Sequence, residues 1–425
     1  MRVMLSNYRY FVSGGPERYM FAVMTALRER GHEIIPFSID YEQNEATPYA
    51  RYFAPPLGSR SEVYFRGQRK SLGTIARTLK RAFYDPAVGD LVRKLVDDTR
   101  PDVAYVLHYL RKLSPSLLVA LKEAKIPIVV RLSDYMMLCP QAHFLRGSSP
   151  CQECMSGSLL PSIRYRCVQG STGASLVNAA ATWFHRYRGY FELIDAFVVT
   201  NSFMLDMMLK AGYREDQLHL IPTFVDSTAF KPRQHSGGHG YVAYVGRLEH
   251  TKGVHVLVEA VSLLRRTRPD VGWRFKIAGT GSQAYVEFLH TIAANGGIED
   301  RVDFVGALPA DEVASFTADA SLQVIPSIWF ENLPNSLLES YACGVPVIAS
   351  DLGSLADAVI PAVTGYKFAA GDATALADSL SNAWDARGDL ATLGTNARTV
   401  ALDVYGKETH LNRLELLFHR LRPSS

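Results

Sequence analysis

Residues 326–350 read PSIWFENLPNSLLESYACGVPVIAS, and this stretch predicts a helix followed by a buried strand. Pro334 suits the first turn of a helix, where its missing N–H costs no hydrogen bond. Gly344, followed by Val-Pro, ends the helix and opens an apolar strand. Glu331 stands just before the helix and Glu339 lies inside it. The stretch therefore sets two carboxylates around the start of one helix.

The two carboxylates and the helix start between them predict a site for one elongated ligand. At 1.5 Å per residue, the two acids are at most about 12 Å apart along the helix axis. This is about the reach of a nucleoside diphosphate sugar, from its hexose hydroxyls to its ribose hydroxyls. The free N–H groups and the dipole of the helix N-terminus favour a diphosphate between them. Two glutamates at this spacing also occur on solvated amphipathic helices, so the spacing alone leaves both interpretations open.

The complete string separates these interpretations. W-F-E-N-x-P, the second glutamate, and A-C-G-x-P-V-I-A-S together closely resemble the retaining glycosyltransferases of family 4. The resemblance implies the α/β fold called GT-B, with two Rossmann-like, doubly wound parallel-sheet domains facing each other across a cleft. It implies that Glu331 faces the donor sugar and that Glu339 holds the ribose. The donor-binding residues at the helix start would be Asn332, Leu333, Pro334 and Asn335.

Length and composition indicate a globular protein of two domains. At 425 residues the chain is too long for one hydrophobic core, which predicts two domains of about 200 residues each. The net charge is +3, 48% of the residues are apolar and 20% are charged, as in globular proteins rather than disordered or fibrous ones. No apolar run approaches a membrane span, and Met1 leads into RVMLS without a secretory leader. We expect a cytoplasmic enzyme with no nucleic-acid partner.

One basic region interrupts this balance. Between Arg51 and Lys112 there are 13 Lys and Arg against 6 Asp and Glu. Within this region, YFRGQRKSLGTIARTLKRAFYD predicts an amphipathic helix. Its apolar face comprises Leu72, Ile75, Leu79 and Phe83, and its nearby cations are Arg69, Lys70, Lys80 and Arg81. Such a helix either lies peripherally on an anionic membrane, at its inner face, or packs on its own domain.

Apolar strands alternate with helical segments in both halves, which predicts parallel sheets wrapped by helices. The predicted strands of the first half are RVMLS, HEIIPFSI, VAYVL, PIVVRL, AFVVT and LHLIP. The predicted helices there run from Pro16 to Arg30, Ser114 to Ala124 and Ser202 to Ala211. The predicted strands of the second half are YVAYVG, RFKIAG, VDFVG, LQVIPS and VPVIAS.

A polar stretch between the halves, Lys231 to Gly240, predicts an interdomain linker. We expect an N-terminal domain over residues 1–230, a C-terminal domain over residues 241–405 and a final helix within residues 406–425. The resemblance implies that the first domain binds the acceptor and the second the nucleotide sugar. The final helix, Lys407 to Leu421, is amphipathic, and the resemblance implies that it crosses back to the first domain. Its predicted apolar face comprises Leu411, Leu414, Leu416, Leu417 and Leu421.

Two cations follow the first strand of the second half. The string G-R-L-x-x-x-K-G places Arg247 and Lys252 where YVAYVG gives way to a helix. Two fixed cations at that point can neutralise a leaving diphosphate without a metal. Solvated Arg and Lys are common, so the spacing alone also fits an ordinary surface. The string resembles that of the family, which implies phosphate contacts and, together with Glu331, a catalytic role.

Glycine-containing loops follow several strands. FVSGGPERY places Gly14 and Gly15 between a strand and a helix, where the backbone can approach a ligand closely. A Gly-Gly pair also occurs in ordinary turns. The resemblance implies that this loop, with Glu17, faces the diphosphate and the donor sugar. The loops that frame the nucleotide base would contribute Gly279, Thr280, Gly281, Val305 and Gly306.

The chain departs from the pattern of the family at two places. The family commonly has a histidine near the donor sugar at the end of the strand VVRLSDY, where this chain has Ser133 and Asp134. Serine can hydrogen-bond a sugar hydroxyl but has no imidazole for proton transfer. His108, at the end of VAYVL, is the nearest alternative, either as a sugar or acceptor contact or as a hydrogen-bonded residue at the cleft edge. In DLGSLAD, Ser354 and Asp357 replace a more usual glycine and glutamate.

The resemblance implies hexose transfer with retention at the anomeric carbon, by front-face attack as the diphosphate leaves. Neither a protein nucleophile nor a catalytic metal would be needed. The acceptor would be a saccharide or a lipid-linked saccharide, in polysaccharide or glycoconjugate synthesis. Nucleotide-sugar 2-epimerases share the architecture, but their catalytic residues do not match these strings. A degenerate sugar-nucleotide-binding protein is disfavoured because Arg247, Lys252, Glu331 and Glu339 are intact.

Most of the cysteines cluster in an insert, about residues 134–170, after the VVRLSDY strand. They are Cys139, Cys151, Cys154 and Cys167, spaced C-x11-C-x2-C-x12-C. Four thiolates at such spacing can close a tetrahedral structural zinc site, and a similar insert occurs in a subset of the resembling family. Disulfides are not expected in a reducing cytoplasm, so unpaired structural thiols are the other interpretation. Cys343 is expected in the core.

Overall fold

The computed structural model describes residues 1–61, 72–147, 149–233 and 240–422. The predicted cations Arg69 and Lys70, residues 234–239 of the predicted linker and the side chain of Leu72 lie outside the described residues.

The first half of the chain contains a parallel sheet wrapped by helices. Its strands are β1 Arg2–Asn7, β2 Glu33–Phe37, β3 Val103–His108, β4 Ile128–Arg131, β5 Leu145–Arg146, β6 Ser149–Pro150, β7 Ala196–Val199 and β8 Leu218–Leu220. Its helices are α1 Gly15–Glu29, α2 Leu72–Phe83, α3 Pro86–Thr99, α4 Ser116–Glu123, α5 Leu160–Arg164, α6 Thr172–Tyr187 and α7 Ser202–Lys210. The sheet order is β2-β1-β3-β4-β7-β8, while β5 and β6 form a separate antiparallel hairpin within the cysteine insert.

The second half repeats this plan. Its strands are β9 Tyr241–Val245, β10 Phe275–Ala278, β11 Val302–Gly306, β12 Ala320–Ile325, β13 Val347–Ser350 and β14 Gly365–Phe368. Its helices are α8 Val254–Thr267, α9 Gln283–Asn295, α10 Ala310–Ala318, α11 Asn335–Ala342, α12 Ser354–Ala358, α13 Ala373–Asp385, α14 Leu390–Asp403 and α15 Lys407–Leu421. The parallel sheet order is β11-β10-β9-β12-β13-β14. Two doubly wound domains are therefore confirmed, and β14 is a strand that the sequence analysis did not predict.

The predicted strands form because their apolar runs can be buried on both faces. In β1, β3 and β4 nearly every residue is buried, as expected for parallel strands covered by helices on both sides. The carboxyl ends of both sheets point toward a cleft between the domains. Open parallel sheets bind ligands at this edge, so the fold places the strand-end loops together.

The last helix, α15, crosses back and packs on the first domain. Leu411, Leu414 and Leu417 are buried there with Phe418, against β1 and α1 residues. The predicted apolar face was wrong at Leu416, which is 53% exposed. His410 extends the buried side instead, because its Nε2 lies 3.0 Å from the Tyr19 hydroxyl and its Nδ1 lies 2.7 Å from the carbonyl oxygen of residue 222.

The amphipathic helix α2 is confirmed as a helix, but it leaves part of its apolar face exposed, while Phe83 is half-buried. Ile75 and Leu79 are 43% and 39% exposed. The helix instead packs toward α6 with Thr74 and Ala82 buried. Arg81 is also buried, donating to Asp85 and to two backbone carbonyls, so it is not the surface cation that the sequence predicted. No helix in the described ranges has both the length and the apolarity needed to cross a bilayer.

Candidate active site

A cavity of 570 Å³ opens between the two domains at the strand ends. Many of the predicted site residues line it together, although they come from loops far apart in sequence. They are Gly14, Gly15, Ser133, Arg247, Lys252, Gly279, Thr280, Glu331, Asn332, Leu333, Pro334, Asn335 and Glu339. Other predicted residues lie outside its wall, namely His108, Asp134, Gly281, Val305 and Gly306. We call this cavity the cleft.

Glu331 is buried at the cleft wall and is held by three hydrogen bonds. Lys252 Nζ lies 2.6 Å away, Ser327 Oγ 2.6 Å and Trp329 Nε1 2.9 Å. All three donors reach Oε1, and in the described part of the chain no hydrogen bond reaches Oε2. Burial alone would raise the pKa of Glu331, but the Lys252 ammonium and the three hydrogen bonds bring the pKa below its usual value. The carboxylate is therefore ionised at neutral pH, with one oxygen open to a ligand.

The backbone of the Glu331 loop is fixed from both domains. Ser354 Oγ donates to the Glu331 carbonyl oxygen at 2.8 Å, and the Tyr135 hydroxyl donates to it from the first domain at 3.3 Å. Asp357 accepts a 2.5 Å hydrogen bond from Ser202 of the first domain. The serine and aspartate of DLGSLAD, which depart from the family pattern, thus position the Glu331 loop and join the domains.

The two predicted phosphate-binding cations have different environments. Lys252 is paired with Glu331 and lies over the Trp329 ring, 5.2 Å from its centroid. Arg247 remains exposed and pairs with Glu249 at 2.7 Å. Lys252 is thus fixed in place, whereas Arg247 has the freedom to turn toward an anion.

The helix α11 begins in the cleft at Asn335. The sequence predicted Pro334 in its first turn, but Pro334 lies one residue before the helix. Pro334 is extended, with φ −72° and ψ 134°, and serves as the N-cap. Leu333 has φ 146°, a region that non-glycine residues rarely adopt and that is typical of functional sites. Asn332 accepts from Thr200 and Asn201 of the first domain. Its side chain therefore binds the domains together, while Asn335 faces the cleft.

Glu339, one turn into α11, has an environment opposite to that of Glu331. Its half-buried carboxyl lines the cleft, and no hydrogen bond to it is found among the described residues. Burial raises its pKa to about 7, with Arg18 opposing the shift. A carboxyl that lacks donors in the free protein is suited to accept hydrogen bonds from ligand hydroxyls.

Glycines shape the loops that surround the cleft. A Cβ on Gly15 would stand 3.2 Å from Asn335 Nδ2, so the first-domain loop closely faces the start of α11. Gly279 has φ +148°, and a Cβ there would overlap the Gly246 carbonyl oxygen. Gly281 packs equally tightly on Leu248 and shapes the loop from outside the cleft wall. In the loop after β11, the residues that line the cleft are Ala307 and Leu308, which follow Gly306.

His108 and Asp134 lie in a second cavity of 150 Å³, which shares Arg131 and Ser133 with the cleft. His108 Nδ1 is 3.3 Å from Asn7 Oδ1, and its Nε2 is 3.7 Å from Asp134 Oδ2. Burial lowers the pKa of His108. The histidine is thus a hydrogen-bonded residue beside the cleft, and Ser133 faces both cavities.

Several cleft residues escaped the sequence analysis. Arg18 is one turn beyond Gly15, Tyr244 lies inside a strand, and Trp329 belongs to the string that carries the resemblance. His143 of the cysteine insert is not part of the cleft wall but touches it, because its ring lies 4.9 Å from the ring of Trp329. Trp329 could have been predicted as a cleft residue, because it stands two residues before Glu331 in the same string. The others gave none, because a lone Arg, Tyr or His carries no pattern.

The fold and the cleft define a protein with GT-B architecture. Sucrose-phosphate synthase from Thermosynechococcus elongatus superposes with a TM-score of 0.71 at 17% identity, covering 100% of both chains. Anabaena Alr3699/HepE in complex with UDP superposes with a TM-score of 0.67 at 19% identity, covering 98% of this chain and 99% of that one. At these identities the likeness shows the fold alone.

Sequence comparison identifies the second domain more closely. Residues 226–400 match the family described as Glycosyl transferases group 1. The D-inositol 3-phosphate glycosyltransferase of Arthrobacter sp. (strain FB24) is 33% identical over 200 residues, 45% of this chain and 47% of the relative. The glycogen synthase of Mycobacterium tuberculosis is 35% identical over 212 residues, 49% of each. The chain thus spans about half the length of the curated relatives that it matches.

Proposed function

We propose that this protein is a retaining glycosyltransferase that moves a hexose from a nucleoside diphosphate sugar to a saccharide or lipid-linked saccharide. The observation that carries the proposal is the placement of Glu331, Lys252 and Glu339 around the start of α11 in one interdomain cleft. The group 1 domain match supports it. So do the solved complexes of Alr3699/HepE, whose ligands are UDP, glucose and UDP-glucose.

Each part of the cleft has a role in this reaction. Glu339 accepts hydrogen bonds from the ribose, and the open Oε2 of Glu331 accepts one from a hexose hydroxyl. Lys252, Arg247 and the N-terminus of α11 stabilise the negative charge that grows on the leaving diphosphate. The fixed Lys252 ammonium, Arg247 once it has turned toward the diphosphate, and the helix N-terminus perform the task that a metal ion performs in other enzymes, so transfer proceeds without a catalytic metal. Attack on the same face of the sugar then gives retention.

The test is transfer by the Glu331→Gln variant. Glutamine keeps the size of the side chain but removes the charge that holds Lys252. If Lys252 then no longer stabilises the leaving diphosphate, turnover should fall about 10²–10³-fold, the cost of losing one donor that stabilises transition-state charge. UDP affinity should fall much less than turnover, because the Glu339 contacts to the ribose remain. Glu259→Gln is the matched control, since Glu259 is on an outer helix away from the cleft.

The products formed from a panel of UDP- and GDP-sugars complete this test. A transferred sugar with retained configuration supports the proposal, and near-normal turnover by Glu331→Gln would contradict the role of Glu331. An epimerised sugar nucleotide without transfer would identify a 2-epimerase. Binding without turnover would identify a degenerate sugar-nucleotide-binding protein.

We also propose that the enzyme works at an anionic membrane surface. Helices α2 and α6 pack side by side and both leave apolar side chains exposed. These residues, which we call the α2–α6 surface, are Ile75, Leu79, Leu176, Trp183 and Tyr187. Trp183 and Tyr187 stack with their ring centroids 5.3 Å apart. Arg77 and Lys80 are exposed on α2, so apolar and cationic groups are combined as in surface-binding helices.

The cysteine insert is proposed to bind structural zinc. Cys139, Cys151, Cys154 and Cys167 all line one small cavity, and all are free thiols. Burial raises the pKa of the Cys139 thiol, against the opposing effect of backbone N–H groups of residues 141–144. Hydrogen bonds from the surrounding protein also orient and tune the ligands of a bound metal. Within the described residues no group of three or more His, Cys, Asp or Glu is placed to hold a metal ion, so zinc binding requires the four cysteines to move closer together.

A further inference from the structure

The second cavity, beside the cleft, contains more positive than negative charge. Its charged lining residues are Arg111, Lys112, Arg131 and Asp134. Arg131 and Ser133 form a wall shared with the cleft. A group bound in the second cavity would therefore lie next to a ligand in the cleft.

Lys112 has no acidic partner in the described part of the chain. Its Nζ lies over the Tyr8 ring, 5.9 Å from the centroid, and none of the described residues accepts a hydrogen bond from it. Burial lowers the pKa of Lys112, and the nearby Arg9 lowers it further. A shielded ammonium without a counter-ion is costly, and a bound anion would remove that cost.

The two arginines of the cavity are held by neutral groups. Arg131 is only 6% exposed and donates to Ser133 and Thr223, and its buried Nε has no hydrogen-bond partner among the described residues. Arg111 donates to Asn178 and Thr182, and burial lowers its pKa to about 10 despite Asp134. Buried guanidinium groups normally pair with carboxylates, so neutral partners leave their charge uncompensated.

Asp134 does not balance these cations. Its Oδ1 accepts from the backbone N–H of Met136 at 2.8 Å, and its Oδ2 lies 3.7 Å from His108 Nε2. One carboxylate thus stands against three cations in the cavity lining. The remaining positive charge attracts a phosphate or carboxylate, which can form strong charge-assisted hydrogen bonds with Arg and Lys.

We propose that this cavity, the cationic pocket, binds an anionic group of the acceptor. The acceptor is then an acidic or phosphorylated saccharide rather than a neutral one. The inference rests on the proposed function, because the shared wall of Arg131 and Ser133 places the acceptor beside the donor. Lys112 is the specificity-determining residue, and Arg131 is a positioning residue because its side chain also packs on Tyr19.

Calorimetric binding of inorganic phosphate and of glucuronate tests the pocket, with methyl glucoside as the neutral probe. The measurements are made at constant ionic strength with saturating UDP, which keeps the probes out of the cleft. We expect both anions to bind and the neutral sugar not to bind measurably. Lys112→Met removes the charge but keeps the aliphatic stem, and it should weaken both anions about tenfold or more. Lys94→Met, at an exposed lysine of α3, should leave them unchanged.

The outcomes separate the two proposals. Equal anion affinity in the wild type and Lys112→Met, or an equal loss in Lys94→Met, would overturn the cationic pocket even if sugar transfer is found. Stronger binding of phosphate than of glucuronate would identify a phosphorylated acceptor, and the reverse an acidic sugar. Absence of UDP binding would contradict the proposed function instead. In that case the difference in anion affinity between the wild type and Lys112→Met, measured without UDP, would still detect the pocket, because anions that enter the cleft bind both proteins equally. An unchanged melting temperature of Lys112→Met shows that the variant is folded.

Discussion

Glu331 and Glu339 carry the same functional group in opposite electrostatic environments. Lys252, Ser327 and Trp329 stabilise the charged form of Glu331, whereas burial stabilises the neutral form of Glu339. An ionised Glu331 keeps Lys252 in position before a donor arrives. If Glu339 binds the donor as proposed, its titration near neutral pH would couple donor binding to proton release.

We predict that donor affinity rises with pH through about 7, the pKa to which burial raises Glu339. In the proposed function ribose hydroxyls donate to the Glu339 carboxylate, so binding would favour the ionised form, and a proton bound to Glu339 at lower pH must first be released. Affinity should fall as pH drops below the free-protein pKa and level off above it. UDP-glucose titrations of the wild type and of Glu339→Gln between pH 5.5 and 8.5 check this. A wild-type profile as flat as that of the variant would contradict the coupling.

At the scale of elements, helices α2 and α6 expose a surface with no protein partner in the described part of the chain. The sides of the two helices that face the protein contain the buried residues Thr74, Ala82 and His185. The apolar residues on their solvent-facing sides therefore add little to the core. The cysteine insert contributes in a different way. Its Phe144 lies 6.3 Å, centroid to centroid, from Phe330 of the second domain, so the insert reaches the Glu331 loop.

Replacing both Leu79 and Trp183 by serine should weaken binding to anionic vesicles about tenfold or more, because each loses apolar area that would enter the membrane interface. Sedimentation with phosphatidylglycerol-containing vesicles at low salt measures the effect. Leu416→Ser, an exposed leucine on α15, is the matched control and should bind as the wild type does. Failure of the wild type itself to sediment would end the membrane proposal.

Elemental analysis should find one zinc per chain in reduced protein, and the double variant Cys151→Ser, Cys154→Ser should lose it together with thermal stability. Removing two thiolates breaks the tetrahedral site. Cys343→Ser is the control, because that thiol is buried in the second domain and lies 3.8 Å from the Ala314 carbonyl oxygen. Metal-free wild-type protein would leave unpaired structural thiols as the explanation.

At the scale of the whole molecule, α15 joins the end of the chain to the first domain. Leu414 is fully buried against that domain, two residues before the exposed Leu416. The buried hydrogen bond between His410 and Tyr19 continues to Tyr105, whose hydroxyl is 2.7 Å from that of Tyr19. The first domain therefore has part of its core supplied by the last helix.

Leu414→Ala should lower the free energy of unfolding by about 2–5 kcal/mol, because it leaves a cavity in a packed core. Leu416→Ala should change it by less than about 0.5 kcal/mol, since the side chain is on the surface. Urea denaturation followed by circular dichroism measures both. Equal effects of the two substitutions would contradict the packing of α15 on the first domain.

Much of the fold could be predicted because its signals are local. The apolar runs of most strands from β1 to β4 and from β9 to β13 need burial on both faces, and their alternation with helices predicts two parallel sheets. Short β14, with its sequence GYKF, lacks such a run and was missed. The motifs around Arg247 and Glu331 predicted cleft residues for the same reason, since each occupies one short segment.

The sequence by itself determined the two doubly wound domains, the start of α11 to within one residue and the carboxylates around it, because these depend on spacing within short segments. Only the tertiary structure decided that Lys252 pairs with Glu331, that Leu416 is exposed, and that Arg111, Lys112 and Arg131 surround one cavity. Burial and charge pairing depend on which segments meet in space. Residues from β3, β4 and their loops meet only once the sheet has formed, so no pattern along the chain predicts that they share a cavity.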